Sequence, residues 1–195
     1  IRKKAILLAP GTFQMVEEFH KQMLQTGIEA LKNDSGNASV LALFSLSVTP
    51  WTSGEERSAE ELLYRIQELL NHEVGVLLTN KKELYHAIHF ANRYTKESIR
   101  AVVGLATLIR VLEDAYDDLE GRTLEGIARL FSQNVRIYAY PTEISFLESR
   151  NLANTWEIKS STGIVTADQI RPKEPLGFLY DYLLACKFIH SLTPH

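Results

Sequence analysis

The sequence LLAPGTFQMVEEFH, residues 7–20, joins an apolar strand to a turn at Gly11 and to the start of a helix. A histidine, His20, follows nine positions after that glycine. A strand that runs through a glycine turn into a helix places backbone N–H groups and the positive end of the helix dipole beside the imidazole. The pattern is typical of a phosphate site. A purely structural role remains the alternative, because a glycine at such a turn also serves backbone geometry alone.

Length and composition favour one domain without a nucleic-acid or membrane partner. The chain has 195 residues, enough for a single sizeable core, and its formal net charge is −3 with scattered basic residues. The apolar runs are too short to cross a membrane and no signal peptide is recognisable, so we expect a cytoplasmic location. The single cysteine, Cys186, excludes an intrachain disulfide. The first residue, Ile1, leaves open a longer polypeptide, and a homo-oligomer is also left open.

Strand patterns and helix patterns alternate along the whole chain. Strands joined by long helical crossovers pair in parallel, and helices then cover both faces of the sheet. We therefore expect residues 1–195 to form one three-layer, Rossmann-like α/β domain, whose parallel sheet has five strands, at residues 5–9, 40–48, 74–78, 99–103 and 135–140. Leu105–Phe131 is predicted to be helical with a break at Gly121, and Leu176–Leu192 to be the last helix. Ser58 and Glu61 have the spacing of a capping box.

The carboxyl edge of this predicted sheet is the expected place for a ligand. Candidate ligand-binding residues follow the strands there. They are Pro10, Gly11, Thr12, Thr49, Trp51, Thr79, Asn80, Gly104, Pro141 and Thr142. Trp51 is suited to stack on a nicotinamide or adenine ring, although a packing role is equally consistent with its position.

Several segments, taken in order, resemble one enzyme family. Gly11, Thr12, Phe13 and His20 match the motif Gly-Ser/Thr-Phe-x-Pro-x-His/Thr-x-x-His, and residues 158–162, IKSST, are similar to an Ile-Ser-Ser-Thr turn. Between them lie further similar segments, at residues 93–94, 102–104, 124–129 and 135–141. The chain thereby resembles the nicotinamide and nicotinate mononucleotide adenylyltransferases of the nucleotidyltransferase superfamily.

The resemblance implies a reaction and a set of site residues. A mononucleotide phosphate attacks the α-phosphorus of ATP, pyrophosphate leaves, and Mg²⁺ accompanies the phosphates. His20 would contact the transferring phosphate, while Gly11, Thr12, Phe13 and Gly104 would bind nucleotide. The turn residues Ser160, Ser161 and Thr162 would bind the ATP phosphates if they open a helix. Trp51, Thr79 and Asn80 would be available to the substrate.

The chain departs from the family pattern at four positions, and three of them, Glu17, Ala106 and Val165, together with the first residue, Ile1, favour a second hypothesis. Met15 replaces a proline, Glu17 the first histidine or threonine, Ala106 an acidic residue and Val165 an arginine. A carboxylate at Glu17 repels phosphates unless a cation intervenes. The alternative is a catalytically inactive domain of the same fold that binds a nucleotide or a protein partner. A flavodoxin-like or other Rossmann-type enzyme is a third hypothesis.

No metal site is predicted. His86 and His89 lie three positions apart on one predicted helix, a spacing that can bind a metal, but no third ligand is evident beside them. An acidic stretch further along the chain is predicted to face solvent. It comprises Glu113, Asp114, Asp117 and Asp118.

Overall fold

The computed structural model describes residues 3–13, 15–36, 38–48, 58–72, 74–114, 116–131, 135–160, 163–173 and 175–193. The first part of the chain alternates strands and helices. They are β1 (Ala5–Gly11), α1 (Glu18–Asp34), β2 (Val40–Ser47), α2 (Ala59–Leu70), β3 (Gly75–Thr79), α3 (Leu84–Asn92), β4 (Ile99–Gly104), α4 (Leu105–Glu113), α5 (Arg122–Leu130) and β5 (Val135–Tyr140). Shorter elements follow. They are β6 (Thr142–Glu143), α6 (Ile144–Ser149), β7 (Trp156–Ile158), β8 (Ile164–Val165), β9 (Ile170–Pro172), α7 (Gly177–Ala185) and β10 (Ile189–Ser191).

The main sheet is parallel throughout and has the order β10-β5-β4-β1-β2-β3. Each of the five strands predicted from the sequence lies in it. Because the winding reverses between β1 and β4, these two neighbours form a topological switch point, where doubly wound folds bind their ligands. The architecture is α/β and Rossmann-like.

Alternate side chains of the sheet point into two separate apolar layers. Leu7 of β1 packs with α1 and α2 on one face, whereas Ile6 and Leu8 pack with α3, α4, α5 and α7 on the other. Gly27 lets α1 approach the sheet closely, because a Cβ there would lie 3.1 Å from the Leu7 side chain and 3.2 Å from Val102. The alternation follows the two-residue period of a strand.

The prediction of five strands was wrong, because β10 adds a sixth at the edge beside β5. The sequence pattern had assigned this segment to the last helix. That helix, α7, ends at Ala185, and Lys187 turns the chain with a φ of +57°. Three residues are too few to show the two-residue period of a strand within an apolar stretch, so the sequence pattern does not indicate β10.

The helix predicted over Leu105–Phe131 is also interrupted earlier than expected. α4 ends at Glu113 and α5 begins at Arg122. Between them Tyr116, with a φ of +47°, folds its buried ring back against the helices, and its hydroxyl donates to the Val111 carbonyl at 2.6 Å. Gly126 leaves space for that ring, since a Cβ there would lie 2.5 Å from it.

Two short antiparallel ribbons form between β5 and α7, apart from the main sheet. β6 pairs with β8, and β7 pairs with β9. Trp156 of β7 is buried, packs edge-on against Tyr180 and donates its indole N–H to Glu113 at 2.8 Å. Within the described ranges, the helices are too short or too polar to cross a membrane.

Candidate functional site

Strand register brings the predicted site residues to the same edge of the sheet. Ser47 pairs with Thr79, and Gly104 pairs with Tyr140. Ile6 of β1 pairs with Ile99 of β4, which is an offset of 93 residues between the two strands. The same offset aligns Gly11 with Gly104 at the switch point. Gly11, Thr79 and Gly104 therefore lie at the carboxyl edge, where the sequence analysis expected them.

The turn after β1 is built around the Phe13 ring. Phe13 adopts a φ of +41°, is buried, and packs edge-on against Phe44 with 4.9 Å between ring centres. A Cβ on Gly11 would lie only 2.7 Å from Phe13 Cζ. Gly11 is thus required for the packing of this ring, which is the structural role that the sequence left as an alternative.

Arg65 of α2 fastens the same turn. Its Nη1 donates to the Thr12 carbonyl oxygen at 2.8 Å, and its Nη2 donates to Glu61. Ser58 caps α2 as predicted, by accepting the Glu61 N–H at 3.1 Å, but the Glu61 side chain pairs with Arg65. Sequence reasoning missed Arg65. The only indication of its role in the sequence is a positively charged side chain within the apolar stripe of an amphipathic helix.

His20 and Glu17 together close the first turn of α1. The Glu17 N–H donates to His20 Nδ1 at 3.1 Å, and the backbone N–H of His20 is shared between the Glu17 carbonyl oxygen, at 3.0 Å, and the Glu17 side chain. This is a reciprocal capping box, with Glu17 at the N-cap and His20 three residues later. The two residues that the family motif places near the phosphates are thus bound to each other in this chain.

The capping bond also determines the protonation of His20. Because Nδ1 accepts a hydrogen bond, the neutral ring carries its proton on Nε2. Burial of the ring lowers the pKa of His20 below its usual 6.5, and the nearby Glu17 charge opposes this shift. The Phe13 and Phe19 rings pack edge-on against the imidazole, with centres 5.5 and 5.7 Å away. Burial therefore favours the neutral form of His20.

Phe19 and Thr142 cover the switch point at the start of α4. The Phe19 ring packs edge-on against Tyr140, and a Cβ on Gly104 would lie 3.3 Å from Phe19 Cζ. The Leu105 N–H donates to Thr142 Oγ1 at 3.0 Å. An N–H group at the start of this helix is thus already bonded within the protein.

These residues do not fit a Mg²⁺ ion held by the protein. Ala106, where the resemblance expects an acidic side chain, offers only a methyl group, and it packs against the apolar layer. The nearby Glu17 carboxylate is engaged in the capping box. Mg²⁺ prefers carboxylate and phosphate oxygens, which leaves the phosphates of a bound nucleotide as its ligands.

The predicted phosphate turn near the C-terminus is described only in part. Ser160 Oγ donates to the Ile164 carbonyl at 3.2 Å, and the Ile144 N–H donates to the Gly163 carbonyl. These bonds attach the turn to β6 and α6, next to Thr142. Ser161, Thr162 and Trp51 lie outside the described residues, so their predicted roles stay predictions.

A small pocket opens at the ends of β1, β2 and β3. Its volume is about 10 Å³, the space of one water molecule. It is lined by Pro10, Ser45, Ser47, Thr79, Lys81, Lys82, Glu83, Leu84 and Ala87. Thr79 Oγ1 donates to the Lys81 carbonyl at 2.7 Å, which shapes the turn between β3 and α3. Asn80 lies exposed on that turn. The two lysines and the hydroxyl groups suit an anion.

His86 and His89 do not act as a pair. His89 is exposed, whereas His86 Nε2 lies 3.2 Å from Asp118 Oδ2 and 3.9 Å from Glu83 Oε2. Asp118 is exposed but bonded to its neighbours, and Glu113 binds Trp156. The acidic stretch is therefore only partly a solvated surface.

Comparisons with known proteins leave the family of the chain unassigned. No protein-family profile matches the sequence, and no curated protein is significantly similar to it.

Proposed function

We propose that this chain is a nucleotide-binding domain with a nucleotidyltransferase-like fold, and that it holds its ligand without transferring AMP. The observation that carries the proposal is the capping box, in which His20 and Glu17 bind each other's backbone N–H groups. A positioned group must be available to the transferring phosphate in order to stabilise it. Here the imidazole stabilises the start of α1.

The crevice at the switch point supports the same proposal. Phe19 lies over Gly104, and Thr142 accepts the Leu105 N–H. Phosphoryl transfer depends on positioning and charge neutralisation more than on covalent chemistry by the protein. A crevice filled by aromatic rings, with Ala106 in place of an acid, gives a phosphate little positioning and little charge neutralisation.

The pocket at the ends of β1, β2 and β3 supports binding of a phosphate group. Lys81 and Lys82 approach it from the turn after β3, and the hydroxyls of Ser47 and Thr79 line it. Lysine ammonium and hydroxyl groups are common phosphate donors. The Glu83 carboxylate also lines the pocket, and Lys82 Nζ lies 3.7 Å from Asp114 Oδ1, so a phosphate competes with two carboxylates for the two lysines. The cavity takes one phosphate oxygen, and the rest of a nucleotide lies across the open edge.

Calorimetric titration of ATP into the full chain tests this proposal. We expect saturable binding, and a ligand at 100 times its dissociation constant stabilises the chain by about 2.7 kcal/mol. Lys82→Gln should weaken binding about 10-fold, the equivalent of one charge-assisted hydrogen bond of ~1.5 kcal/mol. Lys96→Gln, at an exposed lysine on the opposite edge of the sheet, is the matched control and should bind as the wild type does. Absence of saturable binding would refute the proposal.

AMP transfer to nicotinamide or nicotinate mononucleotide is the second candidate. The neutral state of His20 favours it, because Nε2 then carries a proton that a phosphate oxygen can accept. In that case ATP, the mononucleotide and Mg²⁺ yield pyrophosphate, and His20→Ala lowers turnover at least ~100-fold. Pyrophosphate release that depends on His20 would replace the first proposal with this one.

A further inference from the structure

We propose that Glu83, His86 and Asp118 form a site for a divalent transition-metal ion, with Zn²⁺ as the best-fitting representative. One donor atom from each of the three side chains lies within 4.8 Å of the other two. His86 Nε2 is 3.2 Å from Asp118 Oδ2 and 3.9 Å from Glu83 Oε2. This site is separate from the switch-point crevice, but Glu83 also lines the pocket proposed for a phosphate group, so metal binding is tested without nucleotide.

The burial of the Glu83 carboxylate is the observation that points to a cation. Glu83 occupies the N-cap position of α3, but its side chain makes no capping hydrogen bond. Oε2 is inaccessible to solvent and has no hydrogen-bond partner among the described residues. A buried carboxylate oxygen without a donor is costly, and a bound cation removes that cost. The orphaned oxygen is the one that faces His86.

The three ligands come from two segments that the fold presses together. Glu83 and His86 lie one helical turn apart at the start of α3, on the same face. Asp118 comes from the segment between α4 and α5. The Tyr85 hydroxyl donates to Asp118 Oδ2 at 2.6 Å, and the Tyr85 ring packs on the His86 ring with centres 4.1 Å apart. Neighbours that orient metal ligands in this way are a usual part of metal sites.

The distances suit a small ion with nitrogen and oxygen ligands. Zinc binds these atoms at roughly 2.0–2.2 Å, so tetrahedral ligands are separated by roughly 3.3 Å. The His86–Asp118 separation already matches, Glu83 must move by about 0.6 Å relative to His86, and the Glu83–Asp118 separation, within 4.8 Å, must close to the same value. One imidazole and two carboxylates, without sulfur, select Zn²⁺ and its first-row neighbours over soft metals. A water molecule completes the fourth position.

Such an ion would cross-link the start of α3 to the segment between α4 and α5. A protonated His86 between two carboxylates is the competing arrangement, because the same distances suit an ion pair. The two arrangements differ in stoichiometric metal binding. They also differ in how Glu83→Gln behaves without metal.

Titration of ZnCl₂ into the full chain, freed of metal with a chelator that is then removed, tests the site. Calorimetry at pH 7 should show one saturable equivalent and a rise in Tm. His86→Gln and Glu83→Gln should each weaken binding at least ~10-fold, the lower end for disturbing even a residue that orients a ligand. His89→Gln, on the same helix, and Asp117→Asn, beside Asp118, are matched controls that should bind as the wild type does.

Three results would overturn the site. They are the absence of a saturable equivalent, unchanged affinity in His86→Gln, and equal loss in His89→Gln. In metal-free solution Glu83→Gln should not lower Tm, because it removes a carboxylate without a hydrogen-bond partner. A lower Tm for this variant would identify the ion pair with a protonated His86 as the native arrangement.

Discussion

Replacing His20 with alanine separates a structural imidazole from a catalytic one. In the structure Nδ1 accepts the Glu17 N–H, and the ring packs between Phe13 and Phe19. Alanine removes the acceptor and both ring contacts, whereas the Glu17 carboxylate keeps its bond to the backbone N–H of residue 20. The variant should therefore lose stability even if the chain has no catalytic activity.

The expected loss follows from these contacts. A helix cap contributes about 1 kcal/mol, and two edge-on ring contacts of a half-buried side chain add about 0.5 kcal/mol each. The higher helix propensity of alanine offsets about 0.5 kcal/mol. The net loss is about 1.5 kcal/mol, which corresponds to a decrease in Tm of roughly 3–6 °C in a chain of this size.

Chemical denaturation of the wild type, His20→Ala and His20→Gln measures this loss. Glutamine at this position of a capping box still bonds the N-cap N–H, so His20→Gln should lose only the ring contacts. The exposed His89→Ala is the control and should stay within about 0.5 kcal/mol of the wild type. If His20→Ala also stays within about 0.5 kcal/mol, the capping argument is wrong and the imidazole is available for another role.

The lowered pKa of His20 adds a dependence on pH. Burial favours the neutral ring in the folded chain, so below pH 6.5 the unfolded chain binds more protons at this residue. Its contribution to stability is present above pH 6.5 and is lost as the pH falls through the lower pKa of the folded state. Between pH 7.5 and pH 5 the wild type should therefore lose more stability than His20→Gln, as measured by denaturation at each pH.

Two further substitutions test the packing and the capping described above. Gly126→Ala places a Cβ 2.5 Å from the Tyr116 ring and should cost about 1–3 kcal/mol in denaturation experiments, whereas Gly163→Ala, with no atom within 4 Å, should cost far less. Equal costs at the two glycines would contradict this packing. Ser58→Ala removes the acceptor of the Glu61 N–H and should lower the free energy of unfolding by about 1 kcal/mol, and an unchanged value would show that this cap is not stabilising.

The sequence predicts the sheet well where strands are long and buried. β1, β2, β4 and β5 are runs of six to eight residues, so their apolar pattern is visible without the structure. β10 has three residues and follows a helix of similar composition, and only its pairing with β5 distinguishes it. The local sequence pattern therefore fails to predict a strand that is defined by its pairing with a distant strand.

The positions of Gly11 and Gly104 at the strand ends were predicted, but the contacts around them were not. Register places Gly11 and Gly104 where the strand pattern expected them. The capping box was not foreseen, because histidine is not the usual side chain that reaches back to an N-cap. His86 and Asp118 are 32 residues apart, and only the packing of α3 against the following segment brings them together.

A phosphorus NMR spectrum tests the central claim, nucleotide binding without transfer, in one measurement. The chain is mixed with equimolar ATP, nicotinamide mononucleotide and Mg²⁺, and the phosphate resonances are followed with time. The account predicts that the ATP resonances shift or broaden while no pyrophosphate signal appears. Growth of pyrophosphate and dinucleotide signals, or ATP resonances identical to those of the same mixture without the chain, would contradict it.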